Sequence, residues 1–392
     1  MLSLTHAVAY GIALLILPDG WANASAQTAG RHTVYESKMI SSGHNRPTFN
    51  IKQHELLELC AELHRRIDPR TIRERHGWSE EDLASRIARL RNAGLVKEPS
   101  TGTFLPTFMV ISMEDANHYL RIPPDLVGRT CNLILKRRPA ILATARQIPG
   151  IKGRPYSAYS FFLFSDVLLD NWQINNVEHS ILGSERPLRH GNRYYFAILE
   201  KLSGQLSEAF GIYGNGGATR NGKEVDVYGN DRYSGKTLIS ASDSDLSRWF
   251  PTLPNPAEKE FASELIAGLT KVATAGNAGA ADDRMRSGME KLGLIDHGDL
   301  NFLVLPRSSV DRLHDVANLI APEFEDLLRK GLPELKTAYF ASRYKDEVTF
   351  DEYFIWWYHF FYTRVTNQLA AKRILRIPTN GNITYLVVDP VE

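Results

Sequence analysis

The sequence predicts an α+β protein made of two or three domains. Its 392 residues exceed the roughly 250–300 residues at which a single hydrophobic core stops growing. Hydrophobic residues make up 43% and charged residues 23%, which is typical of a folded globular chain and excludes a disordered or multispanning membrane protein. Segments with helical periodicity and segments punctuated by glycine and proline both occur, so helices and hairpins are expected together.

The charge balance and the cysteine content exclude further classes of protein. The 46 Lys and Arg balance 45 Asp and Glu, so no global field attracts nucleic acid or anionic lipid, and any such binding needs a local patch. The two cysteines, Cys60 and Cys131, are too few for a disulfide scaffold and lack zinc-finger spacing. No metal or other cofactor is therefore predicted.

Residues 1–45 are predicted to be a leader or arm. Residues 7–17 form an apolar run as long as a signal-peptide h-region, and Ala-Ser-Ala precedes Gln27 as in a cleavage site. The basic n-region is missing, and the run is too short to span a bilayer, so no integral membrane span is predicted. Two alternatives stay open: a periplasmic or secreted protein cleaved after Ala26, or a cytoplasmic protein whose translation starts near Met39.

The second predicted domain covers residues 46–120 and begins with two helices. Apolar residues between Ile51 and Leu63 recur at helical spacing and predict an amphipathic helix. Asp68 and Pro69 fit the N-cap and first position of a short helix, which Gly77 ends.

A third helix and a hairpin follow. Ser79 begins a segment with the pattern of a capping box, and Gly94 lies where a left-handed C-cap belongs. Residues 95–112 then predict strand, turn and strand, with Pro99 and Gly102 in the turn. The buried stripe of the third helix is predicted to be Leu83, Ile87 and Leu90.

This order, with the third helix ending in LRNAGLV before a hairpin, resembles the winged helix-turn-helix superfamily over about residues 50–112. The resemblance implies that the third helix enters the DNA major groove and that the hairpin is the wing. The DNA-binding residues predicted on this basis are Ser85, Arg86, Arg89 and Asn92, with Arg73 and Arg75 on the backbone.

Two observations weigh against DNA binding by this module. Many winged helices contact proteins, so a protein-docking module is an alternative. Glu80, Glu81 and Asp82 would repel phosphates, although acids in the first turn complement a helix dipole whatever the function.

Residues 121–300 are predicted to form a mixed α/β middle domain. Its first helix carries Lys136, Arg137 and Arg138, interpreted as a solvated helix end. An aromatic segment follows, whose acids and histidine fit no ligand motif and are interpreted as surface charge on a core-building segment. These residues are Asp166, Asp170, Glu178 and His179.

Two glycine-containing motifs fail as phosphate sites. Gly214–Gly217 lacks the GxGxxG spacing of a dinucleotide site. The GKT at 235–237 follows Gly229 after five residues, whereas a P-loop requires four. Residues 221–240 instead predict short strands joined by Asn-Gly and Gly-Asn turns.

Residues 301–392 are predicted to be a helical domain ending in a β-hairpin, with helices broken at Pro322 and Pro333. A helix apolar around most of its girth spans Tyr353–Tyr362, so it is expected to be buried, with His359 a core histidine. Alternatively, residues 353–373 bind a protein partner or a second copy, or line a pocket.

The end of the chain repeats the pattern of the N-terminal module. Residues 367–388 again give a helix end, an apolar strand, a turn with Pro, Thr and Gly, and a second strand. This repeat predicts a second winged-helix-like unit at 320–389 with its wing at 374–388; the alternative is chance similarity.

The predicted function is a winged-helix regulator or adaptor. It would bind DNA or a protein partner through the N-terminal module and use the remainder for sensing or oligomerisation. The alternative is an exported protein of unknown activity, an enzyme among the options, whose winged helix is purely structural. No nucleophile–base pair, metal spacing or phosphate loop supports catalysis.

Overall fold

The computed structural model describes residues 33–41, 49–119, 122–202, 211–220, 223–230 and 258–388. Helices and strands both occur throughout, which confirms the α+β class. Most of the predicted leader and the GKT at 235–237 lie outside the described residues.

The N-terminal module is defined here as residues 51–111. Its three helices are α1 (Leu56–His64), α2 (Pro69–His76) and α3 (Glu80–Asn92). The antiparallel strands β2 (Val96–Ser100) and β3 (Thr103–Pro106) follow as a hairpin. These elements lie where the sequence predicted them.

A three-stranded sheet lies beneath the module. Its order is β1 (Thr33–Ile40), β7 (Tyr195–Leu202) and β4 (Met109–Ile111), with β1 antiparallel and β4 parallel to β7. Phe196 and Ile198 on one face of β7 complete the core of the module, whereas Ala197 and Leu199 on the other face join the core of the remaining chain. The predicted boundary at residue 120 therefore cuts through a shared sheet.

Strand β1 bears on the proposed start at Met39. All eight of its residues pair with β7, from Thr33 opposite Leu202 to Ile40 opposite Tyr195. A chain beginning at Met39 would lack most of this strand.

The rest of the chain, called the body, is mainly helical. Its helices are α4 (Met113–Tyr119), α5 (Leu126–Ala145), α6 (Tyr156–Phe161), α7 (Ile174–Ile181), α8 (Glu258–Ala275), α9 (Asp283–Lys291), α10 (Ser308–Asn318), α11 (Ala321–Ala341) and α12 (Phe350–Ala371). A π-helical turn, Phe162–Val167, extends α6. Short paired strands are β5 (Leu188–Arg189) with β6 (Asn192–Arg193), and β10 (Ile295–Asp296) with β11 (Asp299–Leu300).

The predicted helix break at Pro333 was wrong, because α11 continues through it. Pro333 lies on the exposed face of α11, where water can satisfy the carbonyl that loses its partner. The opposite face packs Phe324, Leu328 and Leu335 into the core, which holds the helix together. At Pro322 the prediction fits, since this residue lies in the first turn of α11.

A four-stranded sheet joins the middle and the end of the chain. Its order is β12 (Phe302–Pro306), β13 (Asn382–Val388), β9 (Lys223–Gly229) and β8 (Gly214–Arg220), with β12 parallel to β13 and the other pairs antiparallel. The predicted domains 121–300 and 301–392 thus share one sheet.

The predicted C-terminal hairpin, and with it the second winged-helix-like unit at 320–389, was wrong. Residues 374–381 form no strand, and β13 pairs with β12 and β9 instead. Residues 382–387 are all buried, as expected of an internal strand covered on both faces, whereas a wing exposes one face to solvent.

The aromatic helix is buried, as predicted. Residues 352–363 of α12 are all buried in the body, and His359 Nδ1 lies 2.8 Å from the carbonyl oxygen of Ile355. Burial lowers the pKa of His359 to about 4, so it is neutral in the core. No aromatic face is left within this stretch for a partner or a second copy.

Gly150 marks a close approach between the α5–α6 connection and β12. Its φ is +91°, and a Cβ atom there would lie 2.1 Å from the carbonyl oxygen of Val304. Gly150→Ala is therefore expected to lower the free energy of unfolding by about 1–3 kcal/mol, since the backbone must shift to relieve both strain and overlap. Thermal unfolding measures the loss, and Gly153→Ala, with φ +79° but no atom within 4 Å, isolates the strain alone. Equal losses in the two variants would contradict a role for the close approach.

Candidate functional site

The first candidate region is the helix pair α2–α3 of the module. The Asp68 carboxylate accepts a hydrogen bond from the Thr71 amide at 3.0 Å and begins α2, and Gly77, with φ 67°, ends it. Ser79 and Asp82 form a reciprocal capping box, each side chain accepting from the other's backbone amide at 3.1 Å. Only three residues separate the helices, so these caps set the direction of α3.

The two faces of α3 differ sharply. Leu83, Ile87 and Leu90 are buried in the module core, as predicted. Ser85 and Asn92 are exposed and Arg89 is half-buried on the outer side. Their side chains form no hydrogen bond or ion pair with any residue in the described ranges, so they are available to a ligand.

Arg86 is engaged within the module. Its guanidinium packs 4.0 Å from the centre of the Trp78 ring and donates to the carbonyl oxygens of His54 and Asp82 at 3.2 and 3.1 Å. Arg86 therefore clamps the turn between α2 and α3 onto the segment before α1. A sequence pattern cannot show this, because Trp78 reaches Arg86 only through the turn geometry.

Arg73 and Arg75, the two predicted backbone contacts, lie in ion pairs. Arg73 is 3.7 Å from a carboxylate oxygen of Glu80, and Arg75 is 3.4 Å from one of Glu62. Each pair includes an exposed side chain and is weak, so a phosphate can replace the carboxylate.

The charge on α3 is divided along its length. Glu80, Glu81 and Asp82 are exposed at its start, and hydrogen bonds from the Ser79 backbone and side chain lower the pKa of Asp82, which keeps it charged. Arg89 and Arg91 lie near its end, where Arg91 pairs with Glu98. Only the C-terminal half of α3 is electrostatically suited to an anion.

Glu347 of the body anchors the module. Its buried carboxylate lies 2.7 Å from His64 Nδ1 and accepts from Arg66 at 2.5 Å, and its carbonyl oxygen accepts from Lys97 Nζ at 3.2 Å. One residue of the body thus contacts α1, the segment after it and the hairpin.

The anchor favours the protonated, positively charged form of His64. Its second ring nitrogen lies 3.4 Å from Asp115, so both nitrogens face carboxylates and both must donate. Burial alone would lower the pKa of His64, but the hydrogen bonds to Asp115 and Glu347 outweigh it and raise the pKa above its ordinary value.

A second buried ion pair holds the module to α12. Arg189 donates to Glu352 at 2.8 Å and to the Thr107 carbonyl oxygen at 2.7 Å. Glu352 also accepts from the Phe196 amide at 3.2 Å. The module, β7 and α12 are therefore joined at one point.

The second candidate region is an acidic cluster inside the body. The interpretation of Asp166 and Asp170 as surface charge was wrong, since they are 0% and 5% exposed. Glu178, by contrast, pairs with Arg186, and His179 is exposed, so the four residues do not form one site. The sequence contained a signal for this burial. Both aspartates interrupt a nearly continuous run of apolar residues, and such a run is expected to be buried.

Hydroxyl and amide groups surround the two aspartates. Asp166 Oδ1 accepts from Asn215 at 3.1 Å, whereas its Oδ2 has no partner among the described residues. The Tyr362 hydroxyl lies 2.9 Å from Asp170 and 2.5 Å from the Tyr213 carbonyl oxygen. The Tyr362 hydroxyl has one proton and can donate it to only one of these two acceptors. If it donates to the Tyr213 carbonyl oxygen, a protonated Asp170 can donate to the Tyr362 oxygen, and both contacts are then hydrogen bonds.

The pKa values of the buried carboxyl groups agree with a protonated Asp170. Burial raises the pKa of Asp170 to about 7, although the hydrogen bond from Tyr362 opposes the rise. Burial and the neighbouring Asp170 raise the pKa of Asp166 well above its ordinary value. Asp226, on the adjacent β9, is raised to about 8 by burial and by Glu224. With pKa values of about 7 and 8, Asp170 and Asp226 hold protons near neutral pH, which suits a buried hydrogen-bonded network.

Metal binding and membrane spanning find no support in the described residues. They contain no group of three or more His, Cys, Asp or Glu arranged to hold a metal ion. Both cysteines are buried, and burial raises their pKa values, that of Cys131 to about 11. None of the described helices combines the length and the apolar character needed to cross a bilayer.

Neither a protein-family model nor a curated protein nor a solved structure matches this chain. Its function must therefore be inferred from the two regions described above. Of these, only the face of α3 presents free polar side chains to solvent.

Proposed function

We propose that the protein is a winged-helix regulator that binds double-stranded DNA through α3. The observation that carries the proposal is the unengaged outer face of α3, formed by Ser85, Arg89 and Asn92. Two helices joined by a short turn with a left-handed glycine, followed by a hairpin, are also the order of elements in winged helix-turn-helix proteins.

The three free side chains suit base recognition. Positions 85, 89 and 92 are four and three residues apart, so they lie along one helix face. Arg89 can donate two hydrogen bonds to guanine, Asn92 can pair with adenine, and Ser85 can reach a base or a phosphate. Arg73 and Arg75 would exchange their weak ion pairs for backbone phosphates. Arg86 maintains the helix pair and makes no base contact in this proposal.

A protein-docking module is the second candidate. It is favoured by the near-neutral charge of residues 49–112, which contain ten Lys and Arg against nine Asp and Glu. It is also favoured by the exposed acids at the start of α3, because phosphates avoid them and basic protein surfaces do not.

Arg89→Ala tests the proposal. The full-length protein is titrated with fluorescent genomic fragments at low salt, and a selected duplex is then used for anisotropy. Arg89→Ala is expected to weaken specific binding by about 1–3 kcal/mol, because a buried base edge loses its charged donor. Arg284→Ala, at an exposed site on α9, is the matched control and should bind like the wild type.

Arg86→Ala separates binding from folding. It should lower thermal stability through loss of the Trp78 contact, and DNA affinity should fall only as far as folding does. No binding of any genomic fragment at low salt would reject the proposal. The module would then be a docking or purely structural element.

A further inference from the structure

Two long segments of the body contain no acidic residue. Residues 126–165 hold seven Lys and Arg, and residues 353–388 hold four, whereas Asp and Glu are absent from both. The chain as a whole is electrically balanced, with 45 acids in 392 residues. Positive charge is therefore concentrated in these two segments.

The two segments pack side by side in the same direction. Trp357 donates to the Ile122 carbonyl oxygen at 2.7 Å, and further along Cys131 lies 3.9 Å from the Val365 carbonyl oxygen. Tyr156 then donates to the Ile374 carbonyl oxygen. Helices α5 and α12 consequently end at the same end of the body, here called the basic end. Its exposed cations are Arg146, Lys152, Arg154, Lys372, Arg373 and Arg376.

These six cations have no counter-ion among the residues that the structure describes. None of them forms an ion pair with a carboxylate in the described part of the chain. Lys136 and Arg137 differ, since both bind Glu323, at 3.1 and 2.8 Å. The dipoles of α5 and α12 favour cations at their C-termini, which accounts for Arg146 and Lys372. The remaining cations follow the helices and are outside that effect.

Arg373 occupies a backbone position suited to glycine. It follows α12 with φ 58°, and its amide donates to the Ala370 carbonyl oxygen at 2.8 Å. A glycine would adopt this left-handed conformation without strain. The chain thus places a cation here at a conformational cost.

The side chains at the basic end suit phosphate better than a lipid surface. Four of the six are arginines, whose planar guanidinium groups bind phosphate oxygens in pairs. The large apolar side chains that are exposed in the described residues are Met39, Leu188 and Phe340, and none belongs to the basic end. Nothing there would insert into a bilayer.

Helix α12 spaces the basic end from the module. Its first turn carries Glu352, which binds Arg189 next to the module, and its last turn reaches the basic end. Twenty-two residues at a rise of 1.5 Å give a helix about 33 Å long.

From this exposed and unpaired positive charge we infer that the basic end is a second contact for the phosphate backbone of the duplex that the module binds. This inference rests on the proposed function. The contact is independent of sequence and contributes through release of counter-ions from the DNA.

The test is a triple variant, Arg146→Gln/Arg373→Gly/Arg376→Gln. On a 30-base-pair duplex carrying the selected sequence, it should bind at least tenfold more weakly at low salt. The slope of log K against log salt should be shallower by about 2.7, or 0.9 for each lost phosphate contact. A 12-base-pair duplex that covers only the module should bind unchanged. Arg373→Gly relieves the left-handed strain, so its share of the loss cannot come from unfolding.

The matched control is Arg286→Gln/Arg329→Gln/Lys330→Gln. It removes the same charge, but each of these cations already pairs with a neighbouring acid: Asp283, Glu325 and Asp326. The control should retain wild-type affinity and slope on both duplexes.

Several results would overturn the inference. They are wild-type binding by the basic-end variant on the long duplex, an equal loss in the control, or an equal loss on both duplexes. Binding to phosphatidylserine vesicles in place of the 30-base-pair duplex would also overturn it. If Arg89→Ala has no effect while the basic-end variant still loses long-duplex binding, the proposed base reading fails and the basic end stands as a backbone contact.

Discussion

Trp356→Ala is expected to lower the free energy of unfolding by about 3–5 kcal/mol. The Trp356 side chain is fully buried in α12, and its removal leaves a large cavity in a close-packed core. A typical domain has only about 5–15 kcal/mol of stability, so the variant is expected to be partly unfolded at physiological temperature. Guanidinium unfolding followed by circular dichroism measures the change.

Trp356→Phe is the matched control for this loss. The indole Nε1 of Trp356 has no hydrogen-bond partner in the described residues, so phenylalanine gives up volume without breaking a hydrogen bond. It should cost clearly less than alanine. A Trp356→Ala protein as stable as the wild type, but defective in self-association or ligand binding, would show that this side chain serves an interface or pocket instead.

The second large effect is a loss of stability as the pH rises from about 4 to 8. Asp170 has a pKa of about 7 in the folded protein against an ordinary 3.8. A raised pKa means that the folded state holds the proton more tightly, so this contribution to stability is fully present below pH 4, falls progressively between pH 4 and 7, and is absent above that range. Three pKa units correspond to on the order of 4 kcal/mol.

Other groups act in the same direction. Asp226, with a pKa of about 8, and Glu352, with a pKa of about 6, add to the loss. Burial works against protonated His64, but its two carboxylate partners leave its pKa raised, so this stabilisation also fades as the pH rises.

Asp170→Asn isolates the contribution of Asp170. An amide cannot ionise, yet its oxygen can still accept from Tyr362. Unfolding free energies at pH 5, 7 and 9 should therefore fall less steeply in this variant than in the wild type. A wild-type stability that is constant or rises between pH 5 and 9 would contradict the buried-acid interpretation.

The module's elements could be predicted because their signals are local. Asp68, Ser79 and Gly77 cap and end helices through contacts with residues three or four positions away. The same periodicity placed Ser85, Arg89 and Asn92 on the outer face of α3. These features depend on short-range geometry that a single sequence displays directly.

The failures concern contacts between distant parts of the chain. The Pro378 and Gly381 turn suggested a wing, but the partners of β13 lie in β12 and β9, far back in the sequence. The engagement of Arg86 depends on Trp78 and His54 meeting in space. The basic end needs two acid-free segments, separated by 187 residues of sequence, to end at the same place.

The position of β13 has a consequence for biosynthesis. This internal strand of the body's sheet is made of residues 382–388, which leave the ribosome after every strand that it joins. At 5–20 residues per second, about 8–32 s separate the synthesis of Gly229, the last residue of β9, from that of Val388. Throughout that interval β9 lacks the strand that separates it from β12, and β12 lacks the same strand from the moment of its own synthesis. The body therefore completes its folding only after β13 has left the ribosome. Before then, the apolar side chains of the unfinished sheet are exposed, and this is when the chain most needs a chaperone.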